Sequence, residues 1–89
     1  MKTYLITYDL HELNESYPDL YDAIEKYGIT IHCLESVWII KTNKTASKIH
    51  NDLKQHIHTK DGLLVAELSD DIKWSGISST LSALLKINL

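Results

Sequence analysis

The predicted fold of this chain depends on its first stretch, Lys2-Thr3-Tyr4-Leu5-Ile6-Thr7-Tyr8-Asp9-Leu10. Tyr4, Ile6 and Tyr8 occupy alternate positions, which is the period of a β-strand. Leu5 makes the second face partly apolar as well, and a strand that is apolar on both faces is typical of the interior of a sheet. The stretch therefore predicts a central strand that ends at a carboxylate.

Length and composition predict one globular domain over residues 1–89, with a core at 2–68 and an extension at 69–89. The 89 residues are 44% hydrophobic and 24% charged, which is too short for two cores and too apolar for a disordered chain. A domain of this size buries a limited share of its surface, so we expect it to self-associate, which hides more apolar area. The formal net charge of −3 disfavours charge-driven binding of nucleic acid.

The single cysteine and the absence of targeting signals predict a cytoplasmic protein. Cys33 has no second cysteine with which to form a disulfide or a zinc ribbon. The amino-terminal residues lack the apolar region of a secretory signal, and no apolar run is long enough to span a membrane. The chain also contains no phosphate-binding loop, dinucleotide-binding or esterase motif.

A helix is predicted after the first strand, because apolar side chains recur there at spacings of three and four. Ser16 is the predicted N-cap, Pro18 fits the first turn, and Gly28 is the predicted left-handed C-terminal stop. The predicted buried stripe consists of Tyr17, Leu20, Tyr21, Ile24 and Tyr27.

The remaining chain predicts three more strands and two more helices. Residues 29–34 and 37–42 read as a hairpin with a bulge near residues 34–36. Thr45 is the predicted N-cap of a second helix, and residues 63–68 form a fourth strand. Residues 77–89 form a short, almost uncharged terminal helix. The predicted stripe of the second helix consists of Ala46, Ile49, Leu53 and Ile57.

This order of elements predicts an α+β fold, the ferredoxin-like βαββαβ sandwich. Right-handed crossovers place the first and third strands at the centre of a four-stranded antiparallel sheet, with two helices on one face. The other face needs a cover, which we expect to be the terminal helix or a second subunit. Trp38, Ile40 and Trp74 are the large apolar residues expected on that face.

Asp9, His11 and Ser36 are the candidate catalytic residues. Asp9 is a candidate metal ligand at a strand end, and the alternative is a carboxylate that accepts backbone N–H bonds in the following turn. His11 is a candidate general acid or base, and the alternative is a solvated loop histidine. Ser36 is a candidate for positioning phosphate or water near Asp9, and the alternative is a residue that satisfies turn backbone.

The other polar residues carry weaker signals. The spacing of His50, His56 and His58 does not match the i, i+4 pairs of helical zinc sites. The middle of the chain is locally basic, and these lysines form either a phosphate-contacting edge or a solvated surface: Lys41, Lys44, Lys48, Lys54 and Lys60.

These elements resemble the small Cas-two-like CRISPR-associated adaptation proteins and their VapD-type relatives. The likeness covers residues 2–68 in layout and includes Tyr8-Asp9-Leu10, Glu35-Ser36-Val37-Trp38 and Asp61-Gly62. It implies a ferredoxin-like homodimer in which Asp9 of each chain lies near the dimer axis and the pair holds Mg²⁺ for phosphodiester hydrolysis. This chain departs from that pattern, because the acidic stretch 11–15 replaces the family's arginines and repels phosphate.

Three functions follow as hypotheses. The first is a non-catalytic dimerisation or adaptor module, which binds protein through its apolar sheet face or its terminal helix. The second is a Mg²⁺-dependent endonuclease acting on RNA or DNA, with Asp9 as metal ligand and His11 or Ser36 assisting. The third is a component of a toxin–antitoxin pair.

Overall fold

Four strands and three α-helices form across residues 1–11 and 17–89, which are the residues that this computed structural model describes. A 3₁₀ turn at Lys54–His56 follows the second helix. In chain order the elements are β1 (Lys2–Asp9), α1 (Pro18–Glu25), β2 (Ile29–Leu34), β3 (Val37–Thr42), α2 (Ala46–Leu53), β4 (Gly62–Glu67) and α3 (Ser79–Asn88).

The strands form one antiparallel sheet in the order β2-β3-β1-β4, which confirms the predicted central position of the first and third strands. Tyr4 of β1 pairs with Ile40 of β3 on one side and with Glu67 of β4 on the other. The register of β2 on β3 shifts between His32 and Leu34, which confirms the predicted bulge close to the hairpin. This α+β arrangement is compatible with the ferredoxin-like sandwich.

The main core lies between one face of the sheet and helices α1 and α2. Alternation along β1 places Tyr4, Ile6 and Tyr8 on this face, where each is almost completely buried. Helices α1 and α2 pack their predicted apolar stripes against these strand residues. The fully buried helical residues are Leu20, Ile24, Ile49 and Leu53.

A second, smaller core lies on the opposite face of the sheet under α3. Ile31, Cys33 and Ile39 pack there against Leu85, and Trp74 packs at the margin. The expectation that the terminal helix covers this face is therefore confirmed for its β2–β3 half.

Two of the residues expected on this second face lie on the other one. Trp38 and Ile40 belong to the main core under α1 and α2, so that expectation was wrong. The reason is register, because Ile39 is the β3 residue that faces α3, and alternation turns both of its neighbours to the opposite side.

The helix ends follow local chemistry with small departures from the predicted bounds. The N-cap of α1 is Tyr17 and Pro18 is its first residue, while the predicted cap at Ser16 lies outside the described residues. Thr45 caps α2 as predicted, since its hydroxyl accepts the N–H of Lys48 at 3.2 Å. Helix α2 ends at Leu53, so Ile57 packs on the core from beyond the helix. Among the described residues, no helix is long and apolar enough to cross a membrane.

Candidate functional site

Asp9 is the last residue of β1 and lies exposed at one end of the sheet. It pairs with Gly62 of β4, which has no side chain to cover the carboxylate from that direction. Alternation places Asp9 on the same face as Leu5 and Thr7, which is the face that carries α3. The carboxylate is therefore accessible, at the edge of the half of this face that lies beside β4.

Ser36 lies next to the end of β1, close to Asp9 of that strand. Its backbone carbonyl accepts the N–H of Tyr8 at 3.3 Å, and its side chain is half-buried. This contact places the β2–β3 hairpin beside Asp9. The contact is made by the backbone of Ser36, so the role of its hydroxyl stays a prediction.

His11 is exposed and is held through its backbone. Its N–H donates to Oδ1 of Asp61 at 2.7 Å. This bond ties the segment that follows Asp9 to the turn before β4. A role for the His11 imidazole as a general acid or base stays a prediction.

Asp61, which was not among the candidate site residues predicted from the sequence, connects three segments of the chain. Its carboxylate accepts three hydrogen bonds, from the backbone N–H of His11, from the backbone N–H of His58 at 2.8 Å and from the hydroxyl of Tyr17 at 3.2 Å. Desolvation opposes ionisation, but these donors outweigh it and hold the pKa of Asp61 below its ordinary value. The only sequence signal was an aspartate before a glycine, which is common in turns.

A cluster of four rings lies at the same end of the sheet, on the face under α1. The rings of His32 and Trp38 are stacked with centroids 4.1 Å apart, and the ring of Tyr21 lies 5.9 Å from that of Trp38. Trp38 Nε1 donates to the hydroxyl of Tyr8 at 3.1 Å. His32 Nε2 donates to the Glu35 carbonyl at 3.0 Å, so the cluster holds the hairpin beside Ser36.

Burial changes the acidity of two groups, Tyr8 on the α1 face of the sheet and Cys33 on the α3 face. Desolvation is the main reason that the pKa of Tyr8 is raised to about 12, with Tyr21 adding to the effect. Burial likewise raises the pKa of the Cys33 thiol. Tyr8 therefore stays protonated at neutral pH, and Cys33 is not activated as a nucleophile.

The α3-bearing face has an open strip along β1 and β4, which we define as Leu5, Thr7, Asp9, Leu64 and Ala66. Leu64 is 52% exposed, and Leu5 and Ala66 are only half-buried. The register places these residues side by side, because Leu64 pairs with Thr7 and Ala66 with Leu5. Leu84 of α3 is also 40% exposed. The described residues thus leave a contiguous apolar surface beside α3.

The two edges of the sheet differ in how they are protected. Strand β2 has the register shift near its end, and this irregularity hinders pairing with another strand. Strand β4 pairs regularly with β1 over Gly62–Glu67, and Glu67 is its one charged residue. The outer edge of β4 is therefore the better template for an additional strand.

The five lysines singled out from the sequence do not share one surface role. Lys41 Nζ donates to the Asn88 carbonyl at the end of α3, at 2.7 Å. Lys48 forms an ion pair with Asp52 at 3.2 Å. Within the described part of the chain, no group of three His, Cys, Asp or Glu side chains is arranged to hold a metal ion.

The chain matches no protein-family model, and a search of the curated proteins finds no match. Its function must therefore be inferred from the chemistry of its own residues.

Proposed function

We propose that this protein is a small homodimeric module of the ferredoxin-like, Cas-two-like kind, which acts as a non-catalytic dimerisation or adaptor unit. The observation that carries the proposal is the open strip, with Leu64 half exposed at its centre. Apolar surface of this kind is a candidate interaction surface when it is contiguous rather than scattered.

A second copy of the chain is the partner that fits best. The open strip adjoins the regular edge of β4, so two copies related by a two-fold axis can place the same surface against itself. Burying the exposed half of each Leu64 contributes about 1 kcal/mol per chain. Within the strip, Asp9 is the one charged residue. It lies at the end of the strip, which would form the solvent-accessible rim of the interface, where charged side chains are common.

The dimer is tested by comparing two leucines of equal exposure. Leu64 is 52% exposed within the strip, and Leu34 is 50% exposed at the hairpin outside it. We expect Leu64→Glu to reduce the mass measured by light scattering from that of two chains to that of one, while Leu34→Glu leaves it unchanged. A parent protein that is monomeric at every concentration, or an equal effect of both variants, would refute the proposal.

A Mg²⁺-dependent endonuclease is the second candidate, supported by the position of Asp9. Its carboxylate is exposed at the end of the open strip, opposite a glycine, and Ser36 lies beside the same strand end. A dimer formed through the strip with the two-fold axis running along the strands would bring two copies of Asp9 together at the same end, and a carboxylate from each chain suits a hard divalent cation. Mg²⁺ held there would lower the pKa of a bound water for attack on phosphate.

This second candidate is tested by activity and by dimer affinity together. With Mg²⁺ or Mn²⁺, the parent should cleave RNA or DNA and Asp9→Ala should not, while Asp71→Ala serves as a control at an exposed aspartate away from the strip. Mg²⁺ should also tighten the parent dimer, and it should leave the Asp9→Ala dimer unaffected. Absence of cleavage by the parent, or equal cleavage by Asp9→Ala, would leave the adaptor role without an enzymatic one.

A further inference from the structure

A cleft of about 700 Å³ lies at the other end of the sheet from Asp9. It opens between the C-terminal end of α1, the end of β3 and the 3₁₀ turn after α2. Its charged and aromatic lining residues are Lys26, Tyr27, Lys41, Lys44, Asp52 and His56. The cleft is separate from the open strip and from the candidate catalytic residues.

The charges in this cleft are not balanced. Lys26 and Lys44 are exposed, and neither forms an ion pair within the described residues. The one lining carboxylate, Asp52, accepts hydrogen bonds from the Tyr27 hydroxyl and from Lys48 Nζ. The Tyr27 hydroxyl, Lys48 and, more weakly, the nearby charge of Lys44 lower the pKa of Asp52. Because the Tyr27 hydroxyl is neutral, Lys48 is the ion-pair partner that balances this carboxylate, and Lys26 and Lys44 leave the cleft with excess positive charge.

Neutral hydrogen-bonding groups accompany these cations. The amide side chains of Asn43 and Gln55 also line the cleft, and each offers both a donor and an acceptor. Gly28 borders it with a positive φ of 89°. The volume falls within the range of ordinary small-molecule sites.

We propose that this cleft binds a small phosphate monoester of nucleotide size. Lysine ammonium groups attract phosphate as point charges, and the amides of Asn43 and Gln55 suit the hydroxyl groups of a sugar or the edge of a base. The half-buried Tyr27 ring supplies an apolar wall.

Surrounding charge favours a small anion over a nucleic-acid strand. Asp22 and Glu25 are exposed on the outer surface of α1, next to the cleft, and the whole chain carries a net charge of −3. A strand that continued past the cleft would meet this negative surface, whereas one phosphate interacts mainly with charges within about 8 Å. The shared chemistry is a terminal phosphate, carried by a free nucleotide or by the end of an oligonucleotide.

The test is titration of the full chain with adenosine 5′-monophosphate, adenosine and inorganic phosphate, followed by calorimetry and by amide chemical shifts. We expect the monophosphate to bind with a millimolar or lower Kd, to bind more tightly than adenosine, and to shift the amides of Gly28 and Asn43. The double variant Lys26→Gln/Lys44→Gln should weaken binding about ten-fold or more, because two charge-assisted contacts are lost. The control Lys60→Gln/Lys73→Gln removes the same charge at exposed positions outside the cleft and should not.

Several outcomes would overturn this proposal. These are no saturable binding of the monophosphate, equal binding of adenosine, or equal weakening by the control pair. Titration with a 5′-phosphorylated oligonucleotide identifies the source of the phosphate. If the oligonucleotide binds more tightly than adenosine 5′-monophosphate, the proposal of a small-molecule ligand is rejected. The amide shifts use the parent protein alone, so they decide the matter even if the double variant does not fold.

Discussion

The imidazole ring of His32 and the indole ring of Trp38 are stacked across β2 and β3, with centroids 4.1 Å apart and planes 7° apart. Trp38 is 3% exposed, so His32 covers one face of a buried indole. The same imidazole donates to the Glu35 carbonyl, which joins the stack to the hairpin. One side chain thus supports both the main core and the loop beside Asp9.

Replacing His32 should destabilise the fold. His32→Ala removes the stacked pair and one hydrogen bond, and we expect the free energy of unfolding to fall by about 1–3 kcal/mol. His32→Phe keeps the stack and should lose about half as much. Urea denaturation followed by far-ultraviolet circular dichroism measures both values. His56→Ala, at an exposed histidine in the 3₁₀ turn, is the control, and an equal loss there would contradict the prediction.

Tyr8→Phe should leave the buried N–H of Trp38 without its acceptor. An unpaired buried donor costs about 1–3 kcal/mol, and we expect a loss of that size in urea denaturation. The pKa of Tyr8 is raised to about 12, so the folded state keeps this proton at a pH where the unfolded chain loses it. The stabilisation is complete below about pH 10 and is lost as the pH rises through the folded pKa.

The dependence of the urea midpoint on pH in the alkaline range should therefore differ between Tyr8→Phe and Tyr4→Phe. Tyr8→Phe should flatten the decline in urea midpoint above about pH 10, because the group responsible is gone. Tyr4→Phe keeps the acceptor for Trp38 and should retain the slope. An unchanged alkaline slope in Tyr8→Phe would contradict the raised pKa of Tyr8 in the folded state.

Asp61→Asn should destabilise the protein at neutral pH and reduce its sensitivity to acid. The pKa of Asp61 is lowered in the folded state, so its stabilisation is present above the ordinary aspartate pKa of about 4 and is lost as the pH falls through the folded value. The variant keeps the side-chain shape and removes that titration. Urea midpoints between neutral and acid pH check this, with Asp71→Asn as an exposed control. Parallel acid profiles for the parent and Asp61→Asn would contradict it.

Two glycines should respond differently to replacement by alanine. Gly28 has a φ of +89°, where a Cβ is strained, and its added Cβ would lie 3.4 Å from the Lys41 carbonyl oxygen. We expect Gly28→Ala to cost about 1–2 kcal/mol. At Gly62 the added Cβ would make an ordinary contact of 3.6 Å with the Cβ of Asp9, so Gly62→Ala should be neutral or slightly stabilising. Equal urea midpoints for the two variants would refute this.

The strands and helices were predictable because their signals are local. Alternation in β1 and the Thr45 cap each depend on a few neighbouring residues, and the structure has both. Gly28 has the expected positive φ, but α1 ends at Glu25 with Lys26 as its C-cap, so the helix stops before this glycine. The predicted second helix was too long, because it was extended to Ile57. Ile57 packs on the core as its stripe position indicates, but it lies beyond the end of α2 at Leu53. Periodicity reports which side chains are buried, and it does not report where the helical hydrogen bonds end.

Parts of the candidate site could not be predicted, because they join residues that are distant in the sequence. Asp61 binds His11 across fifty residues, and Trp38 binds Tyr8 across thirty. Neither aspartate nor tryptophan shows its partner in a local pattern. The face of Trp38 was also assigned wrongly, since one residue of register decides it.

The sequence by itself determined the elements, their order and the central position of β1, because hydrophobic period and caps are properties of short segments. Only the tertiary structure decided that α3 covers half of one sheet face and leaves Leu5, Leu64 and Ala66 open. It also decided that a basic cleft forms at the end of the sheet opposite Asp9. Both surfaces arise where separate elements meet, so their composition depends on packing and register rather than on any one stretch of chain.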